Sequence, residues 1–152
     1  MRIDEFLTER QVSFERLYHR PAYTANRVAQ MLHVPGKEMA KTVLVRTGHG
    51  YILAVLPAIC RVDMERLRQV LHEDQVDLAT EHEMELLFPD CDTGAMPPFG
   101  SLYHLPTLAD ETLAEDREIV FEGQDHNEAI RMQCPDYLAL EHPRREQFAC
   151  FN

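Results

Sequence analysis

Two apolar runs, residues 41–46 and 51–56, are joined through Thr47-Gly48-His49-Gly50, and no other stretch narrows the fold as much. Runs of this length around a glycine-bearing turn specify an antiparallel hairpin. A lone hairpin is marginal in water and needs further strands or helices against its faces. The flanking sequence supplies both. Residues 2–10 place Ile3, Phe6 and Leu7 at helical spacing, and residues 12–18 then alternate as a strand with Val12 and Phe14 inward and Leu17 as a further candidate. Thr24 is positioned to cap a helix over 25–32 with the stripe Val28, Met31 and Leu32, which Pro35-Gly36 breaks. Asp63 caps 64–71, where Met64, Leu67, Val70 and Leu71 are the apolar positions. Residues 76–78 form a short strand, and Thr80 with Glu83 makes a capping box before a helix over 81–88. Residues 89–100 are irregular, 119–121 and 129–132 read as strands around a turn at 122–128, and 136–141 as a closing helical turn. Strands interspersed with short helices predict one α/β domain, a mixed sheet surrounded by short helices, spanning residues 1–152. A chain of 152 residues can bury roughly 68–70% of its unfolded surface, so no staple or metal is required.

Composition removes several function classes. The longest apolar run, 51–59, is far short of a spanning helix, and the amphipathic, acidic N-terminus is unlike a signal peptide; a cytoplasmic protein with no membrane partner is expected. Cys60, Cys91, Cys134 and Cys150 lack CxxC spacing and are expected as free thiols. A net charge of −11 argues against a global basic field for nucleic acid, so any RNA contact must be local. Arg16, Arg20, Arg27, Lys37, Lys41 and Arg46 crowd the first third, which also holds the only two lysines. His72-Glu73 and His82-Glu83 begin like HExxH, but Val76 and Leu86 stand where the second histidine is needed. No Walker loop or GxGxxG is present, and neither Ser13 nor Ser101 lies in GxSxG. Neither metal nor cofactor is expected.

Three features remain. In Gly94-Ala95-Met96-Pro97-Pro98-Phe99-Gly100, two glycines bracket two prolines. Glycine lets backbone N–H groups approach a ligand, and proline lowers the entropy lost on ordering a loop; such a segment suits an oxyanion or a ribose, although its composition alone reads first as an ordinary tight connection. Lys41 opens an otherwise apolar strand, as a residue facing a cleft or as one snorkelling at a strand edge. His126 sits in the glycine-led turn Gly123-Gln124-Asp125-His126.

In this order, a lysine in an AKTVLVR strand, a GxxxPFG loop about fifty residues on and a histidine in a glycine-led turn, the chain resembles the YbaK/ProX family of editing domains. Relatives of that family resemble the inserted editing domain of bacterial prolyl-tRNA synthetase. The resemblance runs from Tyr23-Thr24-Ala25 to about Met132, and the PFG ending and the histidine are similar to the branch that removes alanine from proline tRNA. It implies a trans-editing hydrolase acting on the 3′ end of mischarged tRNA, with or without delivery by a synthetase partner, and with Lys41, Gly94 and His126 as catalytic residues. Ala95, Met96, Pro97, Pro98, Phe99 and Gly100 would be substrate-binding. Two departures stand out: Pro97 before the second proline, where relatives often carry a small hydroxyl residue, and residues 141–152, which match nothing in the family.

The chemistry implied is that of an activated ester: position water, stabilise the tetrahedral oxyanion with N–H groups near Gly94 and Ala95, and exclude the correct amino acid. Lys41 would hold the terminal phosphate or the carbonyl, and His126 would close the pocket or orient water, with the apolar loop residues as walls. Two other readings stay open: a tRNA- or synthetase-binding module of the same fold without turnover, and a cysteine hydrolase using Cys91 with His126 as its base.

Overall fold

A computed structural model describes residues 1–151. Its elements in chain order are α1 (Ile3–Glu9), β1 (Phe14–Tyr18), α2 (Ala25–Leu32), β2 (Ala40–Thr47), β3 (Gly50–Pro57), β4 (Cys60–Val62), α3 (Met64–Leu71), β5 (Val76–Leu78) and α4 (Glu81–Leu87). A 3-10 turn (Gly100–Tyr103) leads to β6 (Thr107–Asp110), α5 (Glu111–Ala114), β7 (Glu118–Glu122), β8 (Glu128–Gln133), α6 (Cys134–Glu141), β9 (Arg144–Glu146) and β10 (Ala149–Phe151). This is the mixed α/β architecture read from the sequence.

The β2–β3 hairpin pairs in unbroken register from Ala40↔Pro57 to Thr47↔Gly50 and lies inside a five-stranded sheet ordered β5-β2-β3-β6-β9. β6 joins β3 in parallel, and β9 joins β6 in parallel. A second sheet, β1-β8-β7, is antiparallel. The two meet where Met39 bridges Val120 in parallel and the Val120 N–H donates to Glu38 O at 3.0 Å.

Helix starts follow local chemistry. Thr24 Oγ1 accepts the Arg27 N–H at 3.2 Å, Asp63 accepts that of Arg66 at 3.2 Å, and Thr80 with Glu83 forms the reciprocal box. Glu83 then ties α4 to the hairpin through Arg46 at 2.8 Å and the Tyr51 hydroxyl. The hydroxyl, followed by the Thr80 N–H, holds the Glu83 carboxyl down to about 2.

The C-terminal segment, outside the resemblance, supplies β9 at the edge of the five-stranded sheet and β10 in a separate two-stranded sheet. β10 pairs antiparallel with β4, and Phe148 between β9 and β10 is fully buried beside Leu67, Val45 and Leu108. Asp110, itself buried, accepts the N–H groups of Phe148 at 3.0 Å, Ala149 at 2.9 Å and Thr112 at 3.1 Å, together with the Thr112 hydroxyl. Removing this carboxylate strands three backbone donors and the Thr112 hydroxyl, so Asp110→Ala is expected to lower stability by roughly 2–3 kcal/mol in urea unfolding, with lost hydrogen-exchange protection at Phe148 and Ala149. Wild-type protection there would contradict the account of how this segment is fastened.

Candidate functional site

Positions 92–100 carry both loop glycines, and each is glycine for a different reason. Gly94 has φ +86° with open space where a Cβ would point, so the constraint there is conformational. At Gly100 a Cβ would sit 2.5 Å from Leu105 O and 2.6 Å from Thr107 Oγ1, so the constraint is steric. The Gly100 N–H donates to Thr107 Oγ1 at 2.9 Å, and Thr107 donates to Glu141 at 2.6 Å, locking the loop exit to the end of α6.

Between them the chain turns inward. Ala95, Met96, Pro97, Pro98, Phe99 and Gly100 are all buried, whereas Gly94 is exposed. Met96 packs with Leu44, Leu53 and Phe88. Phe99 meets Phe6, Phe121 and Tyr137 edge-on at centroid distances of 5.8, 5.7 and 5.1 Å, and Tyr137 donates its hydroxyl to Pro98 O at 2.8 Å. The sequence expectation gave these side chains to a pocket wall. In the structure those of Met96 and Phe99 anchor the loop from behind, because large apolar groups between two sheets gain more from the core than from an open surface. The Ala95 N–H is also engaged, donating to Asp92 O at 2.9 Å, while the Gly94 N–H has no acceptor among the described residues.

The histidine turn is stitched to the loop entry. Gln124 donates its N–H to Ala95 O at 3.1 Å, and Asp92 donates to Gln124 O at 2.8 Å. The His126 N–H donates to Asp92 Oδ2 at 3.1 Å, and its Nε2 lies 2.9 Å from Thr93 O. The exposed Tyr23 ring stands edge-on to the imidazole at 4.9 Å. Buried Glu122 faces His126 Nδ1 at 3.4 Å, and burial is the main cause that pushes its carboxyl up to about 7.

Lys41 on β2 pairs with Leu56, and strand alternation puts it on the face of Val43 and Val45, opposite the face of Ala40 and Leu44 against which Phe99 and Met96 of the loop pack. Lys41 is half-buried, and among the described residues no ion pair or hydrogen bond holds its ammonium; burial lowers its pKa, with the Cys60 thiol opposing. The structure therefore joins His126 and the loop by direct contact, whereas Lys41, with the Cys60 thiol as its titratable neighbour, is joined to neither.

Other cations separate as well. Arg16 pairs with Asp4 and Glu128, and Arg46 with Glu83, whereas exposed Arg20, Arg27 and Lys37 have no ion pair among the described residues. Glu122, Asp92, Thr93 and Tyr23 were missed as site residues by sequence reasoning. The available signal was the spacing of Glu122 and His126 around a glycine-led turn.

The model of the aminoacyl-tRNA editing domain family matches residues 19–140, and the chain belongs to that family, the YbaK/ProX editing domains. Among solved structures, the chain is similar to the hypothetical protein APE2540, with 19% identity, TM-score 0.88 and coverage of 97% of this chain and 99% of that one. It is also similar to a candidate trans-editing enzyme for prolyl-tRNA synthetase, with 22% identity, TM-score 0.81 and coverage of 96% and 93%. These likenesses share the fold. No curated protein sequence gives a significant match. No helix among the described residues is long and apolar enough to cross a membrane.

Proposed function

We propose that the protein deacylates mischarged tRNA in trans, in the cytoplasm, removing a small amino acid such as alanine from proline tRNA. The observation that carries the reading is the fastening of His126 to the entry of the exposed Gly94 backbone, through Asp92 and Thr93, in a chain of the editing-domain family. Lys41 is assigned to the site by the resemblance; a half-buried ammonium with no carboxylate partner among the described residues is costly unless a ligand supplies negative charge or a polarised carbonyl.

In the proposed mechanism the substrate ester lies across the exposed backbone at Gly94. The Gly94 N–H faces the developing oxyanion, preorganised by the flanking bonds of Asp92, Ala95 and Gln124. Lys41 holds the terminal phosphate or the ester carbonyl, and His126, fixed by Thr93 and Asp92, closes the site or orients water. Ala95 to Gly100 form the rigid backing of a pocket too small for proline. Such a second sieve is needed because a synthetase discriminates a methylene by only about 1–3 kcal/mol. Arg20, Arg27 and Lys37 supply the local phosphate contacts that the net charge of −11 does not.

Cys91 is not the nucleophile in this reading. Burial pushes its thiol up to about 12 against the opposing pull of a 3.2 Å hydrogen bond with the Tyr103 hydroxyl, so little thiolate forms at neutral pH. Cys91→Ala is expected to retain most of the deacylation rate, and a collapse in rate with the fold intact would return the cysteine to the mechanism. The function itself is tested on a panel of proline tRNA mischarged with alanine, cysteine or serine. Acceleration of one of them above the enzyme-free rate supports the proposal, and binding without turnover would make the protein a tRNA-binding module.

A further inference from the structure

Glu122 Oε1 and His126 Nδ1 face each other at 3.4 Å, both are buried, and neither has a well-aligned hydrogen bond. Across the ring, His126 Nε2 lies 2.9 Å from Thr93 O. A carbonyl oxygen only accepts, so Nε2 must carry a hydrogen in this contact. A neutral ring then presents a bare lone pair at Nδ1, and a charged Glu122 would oppose it with another. The contact is attractive only when one proton lies between Nδ1 and Oε1.

We infer that Glu122 is a positioning residue, which shares a proton with His126 and so holds the imidazole with its Nε2 hydrogen on Thr93, fastening the entry of the Gly94 loop. The consequence for catalysis rests on the proposed deacylase function; the positioning role does not. Burial favours the neutral carboxyl, and Asp92 and Asp125 act in the same direction while His126 opposes. Of the other groups at the turn, Tyr23 touches the ring by its edge, and Arg2 is engaged with Asp125 at 4.0 Å, Glu128 at 3.7 Å and Gly123 O at 3.4 Å. When the shared proton leaves, a neutral imidazole places its one hydrogen at Nδ1 toward the carboxylate. Nε2 is then bare against the Thr93 carbonyl. The loop is fastened at low pH and released as pH rises through the titration of the pair.

The test is long-range proton–nitrogen NMR of the 15N-labelled protein, with His126→Asn identifying the resonances. In the wild type, His126 is expected to pass to the Nδ1–H form as pH rises from about 5 to about 9. Glu122→Gln, which can donate to Nδ1 and cannot ionise, is expected to keep the Nε2–H form throughout. Enzyme-dependent deacylation, after subtraction of the enzyme-free rate, should fall about tenfold per pH unit above the same ionisation in the wild type and stay level across it in Glu122→Gln. A wild-type His126 that keeps the Nε2–H form over that whole range overturns the inference, and this holds even if the variant fails to fold. The NMR result decides the positioning role alone, whereas wild-type turnover decides the function.

Discussion

Lys41→Ala is expected to fold normally and to slow single-turnover deacylation at saturating protein by on the order of a hundredfold, about 2.7 kcal/mol of transition-state stabilisation. Folding should survive because the ammonium makes no ion pair or hydrogen bond among the described residues and burial already disfavours its charge. Replacing it removes a strained group rather than a structural one. A reduced maximal rate means that Lys41 acts on the reacting carbonyl, and weaker binding at an unchanged rate means that it anchors phosphate. Arginine is not expected to restore the rate, since a planar fork replaces a compact ammonium. Wild-type turnover and affinity in Lys41→Ala would remove the lysine from the site.

The second large effect concerns stability. Phe99→Ala deletes a ring that is 0% exposed and meets three aromatic partners, so a loss of about 3–5 kcal/mol is expected from equilibrium unfolding. That is a large share of the roughly 5–15 kcal/mol that holds a domain of this kind. The Gly94 loop should lose its rear support in the same variant, because Tyr137 bonds Pro98 O directly beside the ring. A loss below about 1 kcal/mol would mean that the ring is not the anchor described.

These two residues show how unevenly sequence and structure correspond. The capped helices and the hairpin were legible, since Thr24, Asp63, Thr80 and the Gly-bearing turn act over a few residues. β6 was not, because Thr107–Asp110 is buried at every position and ends in a carboxylate, which gives neither alternation nor an apolar run. β9 was hidden for a related reason: Arg144–Glu146 reads as a solvated charged triplet and becomes a strand only by pairing with β6. At the site, Phe99 was legible as an apolar loop residue, but its direction was not, since that depends on partners at Phe6, Phe121 and Tyr137. Glu122 was obscured by chemistry: a glutamate beside a turn suggests exposure, and only the three-dimensional packing buries it against His126.

The most direct test of the central claim is deacylation of alanyl-tRNA and prolyl-tRNA, both on proline tRNA, by excess protein in a single turnover. The account predicts that the alanyl ester is cleaved well above its enzyme-free rate while the prolyl ester is spared. Equal cleavage of both, or of neither, would contradict it.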